Sequence, residues 1–148
     1  MPSNAASQTI FFIAAIVIST ALVGTFFAVT IRFADSVDKD SQRLMDQMDT
    51  DFKIINDPAH MPYNATNSSL TLYLLNTGTV DISNSTVKAF VNGTSYFNIT
   101  TWVEGGGDWD PDKVLVTVVH NITLTTGEDY FLRVVVAYGV SDDMEFSI

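Results

Sequence analysis

A chain of 148 residues has room for one compact domain and one additional element. Seven Lys and Arg against 17 Asp and Glu leave a formal charge of −10, and there is no cysteine. The charge argues against nucleic acid, whose phosphates require clustered Lys and Arg. The missing thiols exclude disulfides, thiol catalysis, Cys-ligated zinc and iron–sulfur clusters, so any folded domain here is held by core burial alone.

From Ile10 to Phe33 the chain reads IFFIAAIVISTALVGTFFAVTIRF, with Arg32 as its only charge. As a helix this stretch spans about 36 Å, enough to cross a hydrocarbon core of about 30 Å. A cleaved secretory signal would carry a positive start and a shorter apolar run, and residues 1–9 carry no positive charge. Small residues recur four apart at Thr20, Gly24 and Ala28, with Ala15 and Ser19 on a neighbouring stripe. That spacing lets helix backbones approach closely, so self-association through the helix is expected, in lipid or in a filament-like bundle.

The apolar spacing continues through Val37, Leu44, Met48, Phe52 and Ile55, and no Gly or Pro falls between Gly24 and Pro58. It predicts one helix running to about Asn56, roughly 45 residues and about 70 Å long, stopped by Asp57-Pro58. The expected organisation is a transmembrane or assembly helix with an amphipathic extension over 1–57, a connector over 58–68, and a β-domain over 69–148.

Beyond the connector the period switches to two. Leu70, Leu72 and Leu74 form one row; Val87, Ala89 and Val91 a second; Val114, Val116 and Val118 a third; Leu132, Val134 and Val136 a fourth. Met144, Phe146 and Ile148 close the chain as a final strand at 143–148. Asn-Gly, Thr-Gly and Gly-Gly-Gly turns separate these runs, which predicts an antiparallel, immunoglobulin-like sandwich with the apolar strand 113–120 at its centre. The fold class is therefore α+β: a long hydrophobic helix followed by a β-sandwich, a type IV pilin-like layout.

Six N-x-S/T sequons lie beyond Pro58, at Asn64, Asn67, Asn84, Asn92, Asn98 and Asn121, where chance gives roughly two. The basic residues after the helix, Arg32, Lys39 and Arg43, would naively place the large domain in the cytoplasm. They are mixed with Asp35, Asp38 and Asp40, and the sequon cluster outweighs them, so the β-domain is expected outside, as a glycoprotein.

No constellation reads as an active site, and no cofactor is implied. His60 and His120 are isolated, and Gly105-Gly106-Gly107 lacks the Lys-Ser/Thr of a phosphate loop. Asp108, Asp110 and Asp112 alternate as the first ligands of a calcium loop do, but Lys113 stands where that loop needs glycine. An acidic solvated turn is the plainer reading. Trp109 within it is either a buried lid or an exposed contact.

The uncharged start with Phe11-Phe12-Ile13-Ala14-Ala15, the long helix, the exit Asp51-Phe52-Lys53-Ile54-Ile55-Asn56-Asp57-Pro58 and the following β-domain together resemble the archaellum protein G family (FlaG, also ArlG). The similarity in layout covers essentially the whole chain, and the D-F-x-I-I-N-D-P stretch is its most specific part. It implies a non-enzymatic component of the archaeal swimming motor. In that family the helix sits in membrane lipid and assembles, and the outer domain lies between membrane and S-layer. There it works with protein F of the same system (FlaF, ArlF) as the stationary part of the motor. Two alternatives remain at this level. One is a principal subunit of an archaellum or type IV-like adhesion pilus, although a basic leader and an early acidic residue are lacking before Arg32. The other is a membrane-tethered glycan- or surface-binding module that does not polymerise.

Overall fold

The computed structural model describes residues 3–148 and divides them into two units, one ending at Gln42 and one running from Arg43 to Ile148. One helix, α1, extends from Ser3 to Asp49. Its apolar side chains are exposed among the described residues: Phe11 is 74% exposed, Phe26 75% and Met48 84%. It is long and apolar enough to cross a membrane, and none of its apolar window is buried. Thr9, Thr20, Thr25 and Thr30 each hydrogen-bond a carbonyl three or four residues back along the helix. In hydrocarbon this leaves those hydroxyls satisfied without water.

The helix stops at Asp49, seven residues before the expected end at Asn56. Thr50 closes it, bonding Asp46 O through both its N–H (3.0 Å) and its hydroxyl (2.7 Å). Phe52 and Ile55 continue a helical spacing, but Phe52 and Ile54 also alternate around Lys53, and that second pattern wins. Residues 52–54 form strand β1, paired with 74–76, and Phe52 becomes 2% exposed. A ladder and a buried ring outweigh further turns of a helix that would leave the ring in solvent. Val37 and Leu44 of the expected amphipathic stripe remain exposed.

The other strands are β2 (Tyr63–Asn64), β3 (Ser69–Asn76), β4 (Lys88–Val91), β5 (Thr94–Tyr96), β6 (Ile99–Val103), β7 (Val114–His120), β8 (Asp129–Val135) and β9 (Ser141–Ser147). They form two antiparallel sheets, β1-β3-β7-β6 with β2 also on β3, and β5-β4-β8-β9. Setting β2 aside, this is the A-B-E-D and C′-C-F-G strand order of an immunoglobulin-like sandwich. Leu70, Leu72, Leu74, Leu115 and Val119 of the first sheet meet Ala89, Leu132, Val134 and Phe146 of the second in one core. Each fully buried Leu, Val or Phe contributes about 1.5–3 kcal/mol relative to exposure, which replaces the absent disulfides. Tyr130, two residues before buried Leu132, stacks on Phe146 at 5.6 Å and accepts the Thr125 N–H at 2.8 Å. That contact is the tyrosine corner of such sandwiches.

Four of the expected rows lie in β3, β4, β7 and β8, and the last strand begins at Ser141, two residues early. Strands β5 and β6 were not foreseen, because ITTWV and TSY carry little alternation in hydrophobicity. The 58–68 segment is tied into the fold. Met61 is buried, Tyr63 pairs with Leu70, and Pro58 and Pro62 carbonyls accept from Ser147 and Thr71.

Candidate functional site

The densest set of specific contacts outside the core lies where the helix ends. The Asp49 carbonyl accepts the Thr79 N–H at 2.9 Å, and the Asp51 carbonyl accepts those of Thr77 and Gly78 at 3.0 and 2.9 Å. The Asp51 carboxylate takes the Thr77 hydroxyl at 2.9 Å. A Cβ on Gly78 would stand 2.4 Å from Asp49 O and 2.7 Å from Asp51 N, so the close approach of the two backbones requires glycine. Beneath them Asn76, 0% exposed, accepts from Gly78 N and donates to the carbonyls of Val80 and Trp109. Phe52 meets the buried Trp109 ring edge-on, with centroids 6.1 Å apart. The Asp46 charge, with Asp81 adding to it, raises the Tyr138 phenol above its ordinary 10.0. Tyr138 holds φ +58, a left-handed conformation uncommon outside glycine, within the turn between β8 and β9.

The D-F-x-I-I-N-D-P stretch is this joint. Asp51 anchors the loop after β3, Phe52 fills the core, and Ile54 donates its N–H to Asp142 at 2.9 Å. Asn56 extends the sheet with its side chain, accepting from Tyr73 N at 2.7 Å and donating to Thr71 O at 3.0 Å. Asp57 binds the Ala59 N–H and His60, and these hydrogen bonds hold its carboxyl below the ordinary 3.8. Asn76, Gly78 and Tyr138 went unrecognised in the sequence. The one local signal was the Asn-Thr-Gly-Thr turn, which marks a turn but not what lies against it.

All six sequon asparagines are exposed. Four gather at the end of the first sheet remote from the helix exit: Asn64 pairs with Ser69, Asn67 is in the same turn, and Asn98 and Asn121 flank His120. Three also have conformational duties. Asn92 and Gly93, at φ +48 and +78, make the two-residue hairpin between β4 and β5, and Asn92 accepts from Phe131 N. Asn121 sits at φ +59, and Asn64 caps its own turn through Thr66 and Asn67 N–H groups.

Ala15, Ser19, Thr20, Gly24 and Ala28 are exposed along α1, and Ser19, Thr20, Val23, Gly24 and Phe27 line a shallow groove. Apart from the helix's own backbone, nothing lies within 4 Å of a Cβ built on Gly24.

In the acidic turn a lysine lies among the aspartates. Lys113 Nζ binds the Asp110 carboxylate at 2.6 Å and the Asp108 carbonyl at 3.2 Å. Among the described residues no group of three His, Cys, Asp or Glu converges as metal ligands. Trp109 is the buried lid, 1% exposed, donating to Lys113 O at 3.0 Å. His120 lies at the end of central β7 with Nε2 3.1 Å from the Thr100 hydroxyl.

A family model described as archaeal-type flagellin matches residues 3–146. A protein described as flagella-related protein G from Methanococcus voltae is 32% identical over 71% of both chains. The chain belongs to the archaellum protein G family. The flagella-related protein G of Methanocaldococcus jannaschii is 27% identical over 64% of this chain and 62% of its own. Among solved structures, the archaellum periplasmic stator protein FlaG of Sulfolobus acidocaldarius aligns at a TM-score of 0.50 and 20% identity, covering 66% of this chain and 99% of that one. The match shows that the two share a fold. A chain of the FlaF and FlaG stator complex from the same organism aligns at a lower TM-score of 0.47. The joint described above therefore belongs to a protein G sandwich.

Proposed function

We propose that this chain is a non-enzymatic stator component of the archaellum. Its helix is anchored in the cell membrane or in a helix bundle, and its glycosylated sandwich stands outside, between membrane and S-layer. The observation that carries this reading is the pairing of a helix that buries nothing within its own chain with a joint built to hold that helix's end. A stationary element of a motor has to pass force from its anchor to its outer domain. The Thr79 N–H on the Asp49 carbonyl and the Asp51–Thr77 bonds tie the chain at the helix end to the loop after β3. Placement outside is supported by six exposed sequons, four of them on the end farthest from the helix exit. Protein F is the expected partner of the outer domain, by the family resemblance, and the helix stripe the expected surface for self-assembly.

A second reading, a principal filament subunit, is favoured by the family model, whose description is that of archaeal-type flagellin. Shearing filaments from cells separates the two. In the stator reading the chain stays with the envelope, and its deletion leaves filaments that do not turn. Recovery of the chain as the main protein of sheared filaments would overturn that reading. Orientation is tested on intact cells by protease cleavage at exposed Gly105–Gly107, a better target than the tied-down segment around Pro62. Full protection under an outer layer that admits the protease contradicts an outside domain.

A further inference from the structure

The two outer faces of the sandwich differ in charge. The outward positions of the second sheet carry Lys88, Arg133, Asp129, Asp143 and Glu145, with Arg133 paired to Asp143 at 2.6 Å. The outward positions within β1, β3, β7 and β6 carry no carboxylate, although 14 of the 17 acidic residues lie in this unit. Register places them in rows. The first runs Lys53, Leu75, Val114, and then Glu104, whose N–H bonds Val114 O just past β6. The second runs Ile55, Tyr73, Val116, Trp102, since Ile55 N bonds Tyr73 O. Ile55 and Trp102 are each 48% exposed and Tyr73 37%.

We infer that this face is a self-complementary contact between two copies of the chain. A two-fold axis parallel to the strands, passing between β3 and β7, reverses each row. It sets Lys53 of one copy over Glu104 of the other, twice, and lays Ile55 on Trp102 and Tyr73 over the buried Val116 position, 6% exposed. Aligned packing of two sheet faces about 10 Å apart is a standard arrangement of such surfaces. An axis along the rows instead leaves Lys53 and Glu104 without opposite charges. The face is the place where two strongly acidic domains can meet without facing carboxylate rows, and the sequons Asn64, Asn67, Asn98 and Asn121 lie at its other end, clear of the contact. Two rows across four strands give an area about 14 Å by about 7 Å, roughly 100 Å² per copy and well below the ~800 Å² per partner of a stable free complex. The contact therefore forms where helices already concentrate the chains, which rests on the anchoring reading above.

The test is zero-length carbodiimide cross-linking of the full chain in lipid vesicles, using an equal mixture of light and ¹⁵N-labelled protein. The expected product is a mixed-isotope peptide joining Lys53 to Glu104. Within one copy these residues are three strand spacings apart, about 14 Å, too far for a zero-length link. Trp102→Thr keeps both reactive groups and should lower the yield at least tenfold without shifting thermal unfolding. The double exchange K53E/E104K should restore the link with the two positions reversed. Absence of the mixed peptide, or a yield indifferent to Trp102→Thr, overturns the proposal. That includes the case where this face serves a different partner. Failure of the chain to enter vesicles at all breaks the anchoring reading instead.

Discussion

The helix through Gln42 and the unit from Arg43 onward use the same kinds of apolar residue in opposite ways. Phe26 and Leu22 are 75% and 64% exposed, whereas Leu72 and Leu132 are 0% exposed. The sandwich owes its stability to side chains packed against each other, so its fold is complete within the chain. The helix has backbone hydrogen bonds but no tertiary core, so its apolar surface is left uncovered by the described residues. Mutations in the two regions should accordingly report on different properties, stability in one and assembly in the other.

The largest effect is expected for Phe52→Ala, which empties the space against Trp109 and should cost about 3–5 kcal/mol in denaturant unfolding followed by tryptophan fluorescence. Phe26→Ala on the helix should leave that transition where it was. A comparable loss from both would mean that the helix surface is packed after all. Gly78→Ala pushes a methyl into the Asp49 carbonyl and should cost about 1–3 kcal/mol. It should also speed hydrogen exchange at Thr77, Gly78 and Thr79 while leaving the β7 amides protected. Asn56→Ala removes the side chain that pairs with Tyr73 and Thr71, at about 1–3 kcal/mol.

Gly24→Leu should not move sandwich unfolding but should weaken oligomers in detergent about tenfold, measured by sedimentation. Unchanged oligomers would make the small-residue stripe ordinary lipid-facing surface. The smallest effect concerns pH. Arg133, through its hydrogen bonds and then its charge, holds Asp143 below its ordinary 3.8, and Asp57 is lowered likewise by Ala59 and His60. Their contribution is complete above 3.8 and disappears as pH falls through the lower folded values. Both groups are exposed, so Asp143→Asn should change the melting temperature at pH 7 only marginally and flatten the acid limb slightly.

Much of the architecture is legible in the residues. An uncharged run from Ile10 to Ile31 has one physical solution as a long helix, and four alternating rows can bury their apolar sides only as a sandwich. The end of the helix was not legible, because Phe52 and Ile55 fit a period of 3.6 while Phe52 and Ile54 fit a period of 2. Nothing local separates those patterns until β3 is present to pair with. The partner of Asp110 was not legible for a similar reason, since Lys113 folds back onto it only in the tertiary turn.

By itself, then, the sequence determined the elements whose signal lies in their own periodicity: the apolar helix, the core rows, and the Asn-Gly hairpin. Only the tertiary structure decided the joint, where Asn76 at the end of β3, Gly78 just after it and Tyr138 in the turn before β9 lie about 30 to 90 residues beyond the helix end. Their roles rest on a backbone approach, a buried amide and a left-handed residue, each defined by what the chain brings alongside it and not by its neighbours in sequence.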